Sequence, residues 1–306
     1  MFKMRRAKRR DRLTSGSIRR RLRLQFPFVE PIYSNLHVAS TWIARNRIKP
    51  VKTTVIAFLC FTTYFCWAQL APVPSGVYRW SDYPAKAGDS RETRRILEGV
   101  SPHLEYLEIH ATTQFPDAKP SPAHANDDIE ECIIVKEGAA KVTIENRSTI
   151  LGPGGVVLLM PRQMHSIENV GDSNLTYYVM RYRSKKKMDL ERGETAGGSL
   201  MLDAESLPFK PSSRGGGRAY FDRPTAMCER FEMHVTRLDR KGPSHDPHSH
   251  IETEIILMLS GETGMTIDGQ DYGAGVGDFY LMNSQSLHGV RNATDAPCSY
   301  FAFKWN

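Results

Sequence analysis

The feature that most constrains this chain is an internal repeat with a spacing of 123 residues. Shifting the sequence by that spacing aligns identical polar, glycine and apolar residues in one register. Upstream of the aligned glutamates the spacing becomes 124, which pairs His124 with His248 and Asn126 with His250. Chance does not supply so many identities in one register, so the sequence predicts a duplicated domain. The identical pairs are Glu131 and Glu254, Gly138 and Gly261, Thr143 and Thr266, Ile144 and Ile267, Gly152 and Gly275, Gly154 and Gly277, Leu158 and Leu281, His165 and His288, and Asn169 and Asn292.

Both copies have the sequence pattern of β-strands. Each contains short apolar or alternating runs that Gly, Pro, Asn and Asp separate. Runs that recur about every ten residues, without a clear amphipathic helix between them, predict an all-β fold of the sandwich or barrel kind. The runs are Cys132–Val135, Lys141–Ile144 and Val156–Met160 in the first copy, and Ile255–Leu259, Gly264–Ile267 and Phe279–Met282 in the second.

Three histidines and one glutamate of the second copy have the spacing of a metal site. His248 and His250 are two residues apart, so on a strand their side chains share one face, and Glu254 follows on the same side. His288 reaches the group from a later strand. Three imidazoles and one carboxylate inside a barrel form a nitrogen and oxygen ligand set for one divalent transition metal ion, and they leave positions for water or substrate.

This spacing resembles the two conserved motifs of the cupin superfamily, in which these four residues are the metal ligands. The resemblance implies two tandem cupin barrels of the double-stranded β-helix or jelly-roll kind, at 101–183 and 221–306. The second motif departs from the usual one at Asn283 and Gln285, where Pro and Gly are expected. Those positions shape a turn and are not ligands.

Over residues 100–306 the chain also resembles, distantly, the ureidoglycine aminohydrolases, which are manganese-dependent bicupins that release ammonia from ureidoglycine. The likeness includes Ile129–Glu131, Arg181–Arg183 and Phe231–His234. That family has Glu, His, His and Gln at the four ligand positions, so its substrate does not carry over directly. The resemblance implies Mn as the metal, and the ligand set here also accommodates Fe, Zn, Ni or Cu.

The first copy has a weaker form of the same constellation. His124, Glu131 and His165 occupy three ligand positions, but Asn126 replaces a histidine. Asn is a poor ligand for a transition metal. The copy is therefore either a degenerate barrel retained for packing or a second, weaker metal site formed by the other three residues.

The net charge of +7 is confined to the N-terminus. Residues 1–50 contain 14 Lys and Arg and two Asp and Glu, whereas residues 69–306 contain 26 basic and 32 acidic residues. An acidic body does not favour binding to a phosphate backbone, so we expect no nucleic-acid partner. We interpret 1–50 as a basic leader that is not translated in vivo if synthesis begins at Val51.

Residues 51–68 have the features of a signal peptide. The apolar run Val55–Ala68 is shorter than the ~20 residues of a membrane span, and it ends with small residues suited to a cleavage site. We expect export to the periplasm or the extracellular space, with no stable membrane partner after cleavage. An uncleaved anchor is the alternative, and mass-spectrometric sequencing of the mature N-terminus distinguishes the two.

Two further segments are predicted to connect or cover the barrels. The Pro-rich segment 69–100 predicts an irregular N-terminal arm that lies over a barrel. The segment 184–220 predicts a linker with connecting strands, and Gly215–Gly217 within it is typical of a flexible linker. A homodimer through a barrel edge or the arm is an expectation for this fold class.

Three functional classes fit a metal site in such a fold. The first is an aminohydrolase, lyase or isomerase that acts on a small polar or anionic molecule. The second is a metal-dependent dioxygenase. The third is a non-catalytic protein that binds or senses a metal or small ligand. We expect the first class, with the second barrel as the working site.

Four residues near the metal motif are candidates for binding or chemistry. Glu252 is two residues from His250, so on a strand the two side chains would share a face. Glu252 is therefore the candidate proton-transfer group, with a solvated carboxylate as the alternative. Tyr280 and Gln285 are candidates for the substrate pocket, with framework packing as the alternative. Arg291 would clamp an anionic substrate, unless it forms a surface ion pair.

Overall fold

The computed structural model describes residues 70–306. The leader predicted at 1–50 and the signal peptide predicted at 51–68 lie outside the described residues. Within 70–306, no helix has the length and apolarity that crossing a membrane requires.

Strands form most of the described chain, as the alternating apolar runs predict. The first half contains β1 (Gly76–Tyr78), β2 (Lys86–Ala87), β3 (Arg91–Gly99), β4 (Leu104–Gln114), β5 (Glu130–Glu137), β6 (Ala140–Ile144), β7 (Arg147–Leu151), β8 (Val156–Leu159), β9 (His165–Asn169) and β10 (Leu175–Ser184). A short helix α1 (Leu190–Thr195) and two 3₁₀ turns, Trp80–Asp82 and Ala204–Ser206, supply the helical part. The second half contains β11 (Leu200–Leu202), β12 (Lys210–Ser212), β13 (Gly215–Arg223), β14 (Phe231–Leu238), β15 (Gly242–Pro243), β16 (Thr253–Ser260), β17 (Thr263–Ile267), β18 (Gln270–Ala274), β19 (Phe279–Met282), β20 (His288–Asn292) and β21 (Cys298–Trp305).

Each copy forms a barrel from one large and one small antiparallel sheet. The first barrel has a seven-stranded sheet in the order β11-β8-β5-β10-β4-β3-β2 and a three-stranded sheet in the order β7-β6-β9. The second barrel has a seven-stranded sheet in the order β1-β19-β16-β21-β14-β13-β12 and a four-stranded sheet in the order β15-β20-β17-β18. The strand order repeats between copies, which confirms the all-β jelly-roll duplication.

The outer strand β1 ties the N-terminal segment to the second barrel, whereas β11 extends the sheet of the first barrel. β1 belongs to the N-terminal segment, but it pairs with β19 of the second barrel. β11 follows the first barrel in sequence and pairs back onto its strand β8. Residues 91–99 of the predicted arm are not irregular, because they form β3 and pair with β4 along its length. The prolines of the arm precede this stretch, so its backbone N–H groups are free to bond to the neighbouring strand.

Strand alternation divides the apolar side chains among three cores. On β16, Ile256 and Met258 face the interior of the second barrel, whereas Ile255 and Leu257 face the other barrel. A separate cluster fills the first barrel. The core between the barrels includes the fully buried Trp305, and truncating such a residue costs about 3–5 kcal/mol. The central strands of the two seven-stranded sheets therefore bury both of their faces.

The glycine run at Gly215–Gly217 is part of a strand instead of a flexible linker. It begins β13, which pairs with β12 on one side and β14 on the other. A Cβ atom on Gly217 would lie 2.5 Å from the Val235 carbonyl oxygen, and one on Gly215 would lie 2.2 Å from the Arg237 carbonyl oxygen. The glycines are needed for close approach of two backbones, a role that composition alone does not separate from flexibility.

Substituting Gly217→Ala is expected to lower the free energy of unfolding by about 1–3 kcal/mol, because its methyl group would overlap the backbone of β14. Gly275→Ala is the matched control, since a Cβ atom there would meet no atom within 4 Å. Urea unfolding of both variants checks the comparison. Equal stability of the two variants would contradict this account of the glycine run.

Candidate metal centre

The four predicted ligands come from one loop and two strands of the second barrel. Glu254 lies on β16 and His288 begins β20, whereas His248 and His250 lie in the loop between β15 and β16. The backbones of His248 and His288 exchange two hydrogen bonds of 2.9 Å. This bridge holds the loop against β20, so side chains that are distant in sequence converge at one end of the barrel.

The ligand atoms of the four residues all lie within 4.8 Å of one another, and residues 70–306 contain no second such group of His, Cys, Asp and Glu. The Nε2 atoms of His250 and His288 lie 2.8 and 3.2 Å from Oε2 of Glu254. The ring centroids of His248 and His288 are 4.7 Å apart. Glu254 and His288 are buried. The structure therefore brings together the four residues that the spacing singles out.

The hydrogen bonds behind the imidazoles fit a cation at the centre of the group. Nδ1 of His250 lies 3.1 Å from the carbonyl oxygen of Glu252, and Nδ1 of His288 lies 2.8 Å from that of Ser286. A carbonyl oxygen only accepts, so each Nδ1 carries a proton, and in the neutral imidazole the Nε2 lone pair is left facing Glu254. Lone pairs that face a carboxylate require a cation between them, either a proton or a metal ion, and these donor types suit a divalent transition metal ion.

Glu254 is ionised, as a carboxylate that binds a metal ion must be. Burial raises the pKa of its carboxyl, but the hydrogen bonds and positive charge that His250 and His288 supply when Nε2 carries a proton lower it, and the net pKa lies well below the usual range. The carboxyl is therefore ionised at neutral pH. The group has one negative charge and three imidazoles, a set that a divalent ion satisfies.

Three further polar residues, Glu232, His234 and Lys304, face the interior of the second barrel beside the metal ligands. The sequence analysis assigned them no role. On β21 the inward-facing Ala302 is two residues from Lys304, so both side chains share a face. The strand register pairs Lys304 with Glu254 on one side and with Glu232 on the other. Nζ of Lys304 lies 3.3 Å from Oε2 of Glu232, whose Oε1 lies 3.2 Å from Nδ1 of His234. A carboxylate and imidazole pair therefore lines the barrel beside the metal group.

Comparison with known proteins identifies the domain in each half. A family model described as a cupin domain matches residues 113–181 and again residues 234–304. One match falls on each barrel. This chain is a bicupin of the cupin superfamily. The predicted duplication of cupin barrels is thus confirmed, while the distant resemblance to ureidoglycine aminohydrolases stays a prediction.

Solved structures with the same fold have low identity to this bicupin. Protein Ylba from E. coli is 16% identical with a TM-score of 0.60, over 78% of this chain and 95% of that chain. AerE from Microcystis aeruginosa is 12% identical with a TM-score of 0.58, over 75% and 98%. Oxalate decarboxylase of Lactobacillus farciminis, in a formate complex, is 13% identical with a TM-score of 0.57, over 76% and 87%. Comparison with curated proteins gives no match.

Glu252, the predicted proton-transfer group, lies behind His250 in the bicupin. Its Oε2 is 3.3 Å from Nδ1 of His250, and its Oε1 accepts a hydrogen bond of 3.0 Å from Arg230. Nδ1 is on the far side of the ring from the Nε2 atom that faces Glu254. Glu252 therefore orients the metal ligand His250 and does not face the space where a substrate would bind, because the loop turns before β16 begins.

Tyr280 and Arg291 do not line the metal group. Tyr280 is fully buried in the barrel core, and its hydroxyl donates to the carbonyl oxygen of Thr263 at 3.0 Å. On β20 the side chains of His288 and Val290 are buried, so the alternation turns Arg291 to the outer face, where it lies 3.4 Å from Asp271. The structure therefore shows the alternative for each residue: Tyr280 packs in the barrel framework, and Arg291 forms a surface ion pair.

Gln285 supplies the turn that a glycine usually makes in this motif. Its φ of 68° lies in the left-handed region, its side chain is exposed, and its N–H donates to the carbonyl oxygen of His250 at 2.7 Å. Arg162, at the matching position of the first copy, has a φ of 70°. Asn283, where Pro is expected, donates from Nδ2 to the carbonyl oxygen of Val73 at 2.8 Å. The departures from the motif thus leave the turn intact.

In the first barrel the guanidinium group of Arg181 contacts the residues that correspond to the metal ligands of the second barrel. Nε of Arg181 donates to Oε1 of Glu131 at 3.0 Å, and Nη2 donates to Oδ1 of Asn126 at 3.1 Å. His165 Nε2 lies 3.3 Å from the other oxygen of Glu131, and the centroid of the tilted His124 ring lies 4.3 Å from that of His165. Although they are neighbours, these side chains do not form a second group of metal-ligand atoms within residues 70–306. Arg181 supplies the positive charge that Glu131 needs.

The polar pairs beside the two sites repeat with the same 124-residue spacing. Glu108 and His110 of the first barrel match Glu232 and His234 of the second. Nδ1 of His110 lies 3.2 Å from Oε1 of Glu108, the same distance as in the second barrel. Extending the repeat upstream of the histidine motif would have shown this pair in the sequence.

Replacing His250→Ala is expected to reduce the metal content from about one ion per chain to none while the fold is retained, because one ligand of four is lost and the barrel cores are untouched. Elemental mass spectrometry of protein purified without chelator or nickel resin measures the content, and circular dichroism measures the fold. His245→Ala is the matched control, since His245 lies beside His248 but is outside the ligand group. Equal metal loss in both variants would contradict the assignment.

Combining Asn126→His with Arg181→Lys is expected to raise the metal content from about one to about two ions per chain, because the first barrel then carries the residue types of the second. The single variant Arg181→Lys is the control and should stay at one ion. An unchanged content in the double variant, with the second site still filled, would show that Arg181 is not what keeps the first barrel free of metal.

Proposed function

We propose that this bicupin is a metal-dependent enzyme that acts on a small polar or anionic molecule at the second-barrel site. The observation that carries the proposal is the convergence of His248, His250, Glu254 and His288, whose ligand atoms lie within 4.8 Å of one another. Four protein ligands, each offering one atom, leave two positions of an octahedral ion for water or a substrate. Mn is the metal we propose first, and Fe, Zn, Ni and Cu suit the same ligands.

A divalent ion held at this site would polarise a carbonyl or carboxylate oxygen of a bound molecule. The charges around the site favour an anionic or strongly polar substrate. Lys304 faces the same barrel interior and carries a positive charge that Glu232 only partly offsets, because Glu232 also accepts a hydrogen bond of 2.8 Å from Arg230. A solved oxalate decarboxylase of similar fold, in complex with formate, supports small carboxylates as one substrate class to test.

His234 is the residue we propose for proton transfer. It lies on β14, on the inward face that it shares with Glu232, and Glu232 accepts a hydrogen bond from Nδ1. A carboxylate on one ring nitrogen fixes the tautomer and leaves Nε2 as the atom that exchanges protons. About a third of its side chain is exposed, 37%, so solvent and substrate can reach it.

The reaction type decides between the three classes. An aminohydrolase, lyase or isomerase transfers protons and releases ammonia, carbon dioxide or a rearranged product without oxygen. A dioxygenase consumes O₂, and a binding protein retains the ligand unchanged. The protein reconstituted with Mn, Fe, Zn, Ni or Cu, supplied in turn with small carboxylates and ureides, is assayed for ammonia, carbon dioxide and O₂ uptake. Turnover without O₂ supports an aminohydrolase, lyase or isomerase, and O₂-dependent turnover would replace that class with a dioxygenase. Binding without turnover would overturn the proposal of an enzyme.

Changing His234→Gln is expected to lower kcat by about 100-fold or more while the metal content stays at the wild-type level, because the variant removes a proton-transfer group and no ligand. Activity on the substrate found above is measured together with elemental mass spectrometry. A fall in activity that follows only from metal loss would show that His234 is a structural neighbour of the site. The pH profile gives a second readout, since the limb that reports the imidazole should disappear in the variant.

A further inference from the structure

The first barrel contains a cavity that the metal site does not explain. It has a volume of about 280 Å³, which is slightly below the ~300–1,000 Å³ of pockets for drug-sized ligands. Strands β4, β5, β9 and β10 form its walls. Since the metal group belongs to the second barrel, this cavity would hold a different ligand, and that ligand must be small.

Along the walls the cavity changes from charged to apolar. On β5 the lining residue Glu131 is followed two positions later by Ile133, and on β10 Arg181 is preceded by Val179. Ile133 and Val179 belong to the buried core of the barrel, with 2% and 6% of their surface exposed. Arg181 is 31% exposed. The cavity therefore has a polar end toward solvent and an apolar end toward the core.

The two carboxylates at the polar end already accept hydrogen bonds from other side chains of the protein. Glu131 accepts hydrogen bonds from Arg181 and Asn126 through Oε1, and its Oε2 lies 3.3 Å from Nε2 of His165. Glu108 accepts from Arg181 at 3.2 Å and from Tyr106 at 2.8 Å. Among the described residues, these partners satisfy both carboxylates. These two carboxylates therefore leave a ligand little unused acceptor capacity.

Donor groups remain at the same end. A guanidinium has five N–H groups. Arg181 donates one each to Glu131, Asn126 and Glu108, so two of the five have no partner in these bonds. The hydroxyl oxygen of Ser121 accepts from Arg91 at 2.6 Å, so its own proton is available to another acceptor. Unused donors on a positively charged group select a ligand with acceptor oxygens, and a carboxylate matches the guanidinium edge best.

We propose that the first barrel binds a short-chain monocarboxylate without a metal. The carboxylate head accepts hydrogen bonds from Arg181 and Ser121, and the short alkyl chain packs against Ile133 and Val179. This assigns a ligand site to the barrel that lacks the metal group. The apolar end distinguishes such a ligand from inorganic phosphate, which has the charge but no alkyl chain to bury.

Isothermal titration of the full-length His250→Ala protein with butyrate tests the proposal, because this background removes any binding to a metal ion. Butyrate should bind with one site per chain, and the neutral isostere butyramide should bind about 10-fold more weakly or worse, since it loses the charge-assisted hydrogen bonds. Inorganic phosphate should also bind at least about 10-fold more weakly than butyrate, because it leaves the apolar end unfilled. Equal binding of butyrate and phosphate would identify a general anion site and overturn the proposal.

Variants at Arg181 separate this cavity from other cationic surfaces. Arg181→Gln should abolish butyrate binding, but it unpairs Glu131 and Glu108 and could unfold the barrel. Arg181→Lys keeps the charge with the residue type that the second barrel uses, and it should weaken binding about 5-fold or more because the guanidinium fork is lost. Arg183→Gln is the matched control, since Arg183 pairs with Glu105 and Asp128 outside the cavity. Equal effects of the Lys variant and this control, or no butyrate binding by the His250→Ala protein, would overturn the proposal.

Discussion

The packing of one seven-stranded sheet against the other is the interaction on which the rest of this bicupin depends. Side chains of β5 and β10 meet those of β16 and β21 in a core that belongs to neither barrel. The opposite faces of the same strands line the two barrel interiors. Because both faces are buried, a strand cannot shift by one residue without moving apolar side chains and site residues to the wrong side. This constraint fixes Glu254 and Lys304 at the barrel interior.

The two barrels use one scaffold to satisfy a buried carboxylate in two ways. Glu254 is surrounded by imidazole nitrogens that call for a metal ion, whereas Glu131 is paired with the guanidinium of Arg181. The matching residue of the second barrel, Lys304, lies on the same inner face but its Nζ pairs with Glu232. A buried negative charge needs a partner, and the choice of cation decides whether the barrel holds a metal. Asn126 and Arg181 stand where the second barrel has His250 and Lys304, and both contact Glu131 or its partner.

Much of the fold and the ligand set was predictable because repeats and strand periodicity are local properties. The repeat predicted two barrels, and the spacing of His248, His250 and Glu254 predicted their convergence with His288. The candidates that the structure does not place at the site failed for identifiable reasons. Arg291 lies on the outer face of β20, so nearness in sequence to a ligand did not mean nearness in space. Glu252 precedes β16, and the loop there turns its side chain to the back of His250.

The sequence by itself determined the duplication, the all-β class and the identity of four residues able to hold a metal, because periodicity and residue chemistry are written along the chain. Only the tertiary structure decided which other polar groups meet those residues. Glu232, His234 and Lys304 come from two neighbouring strands of one sheet, β14 and β21, and Arg181 reaches Asn126 and Glu131 across 50 or more residues of chain. Such contacts depend on strand register and on which face of each sheet the neighbouring barrel covers. Neither is a property of any local stretch of sequence, and both follow from the packing of the two sheets.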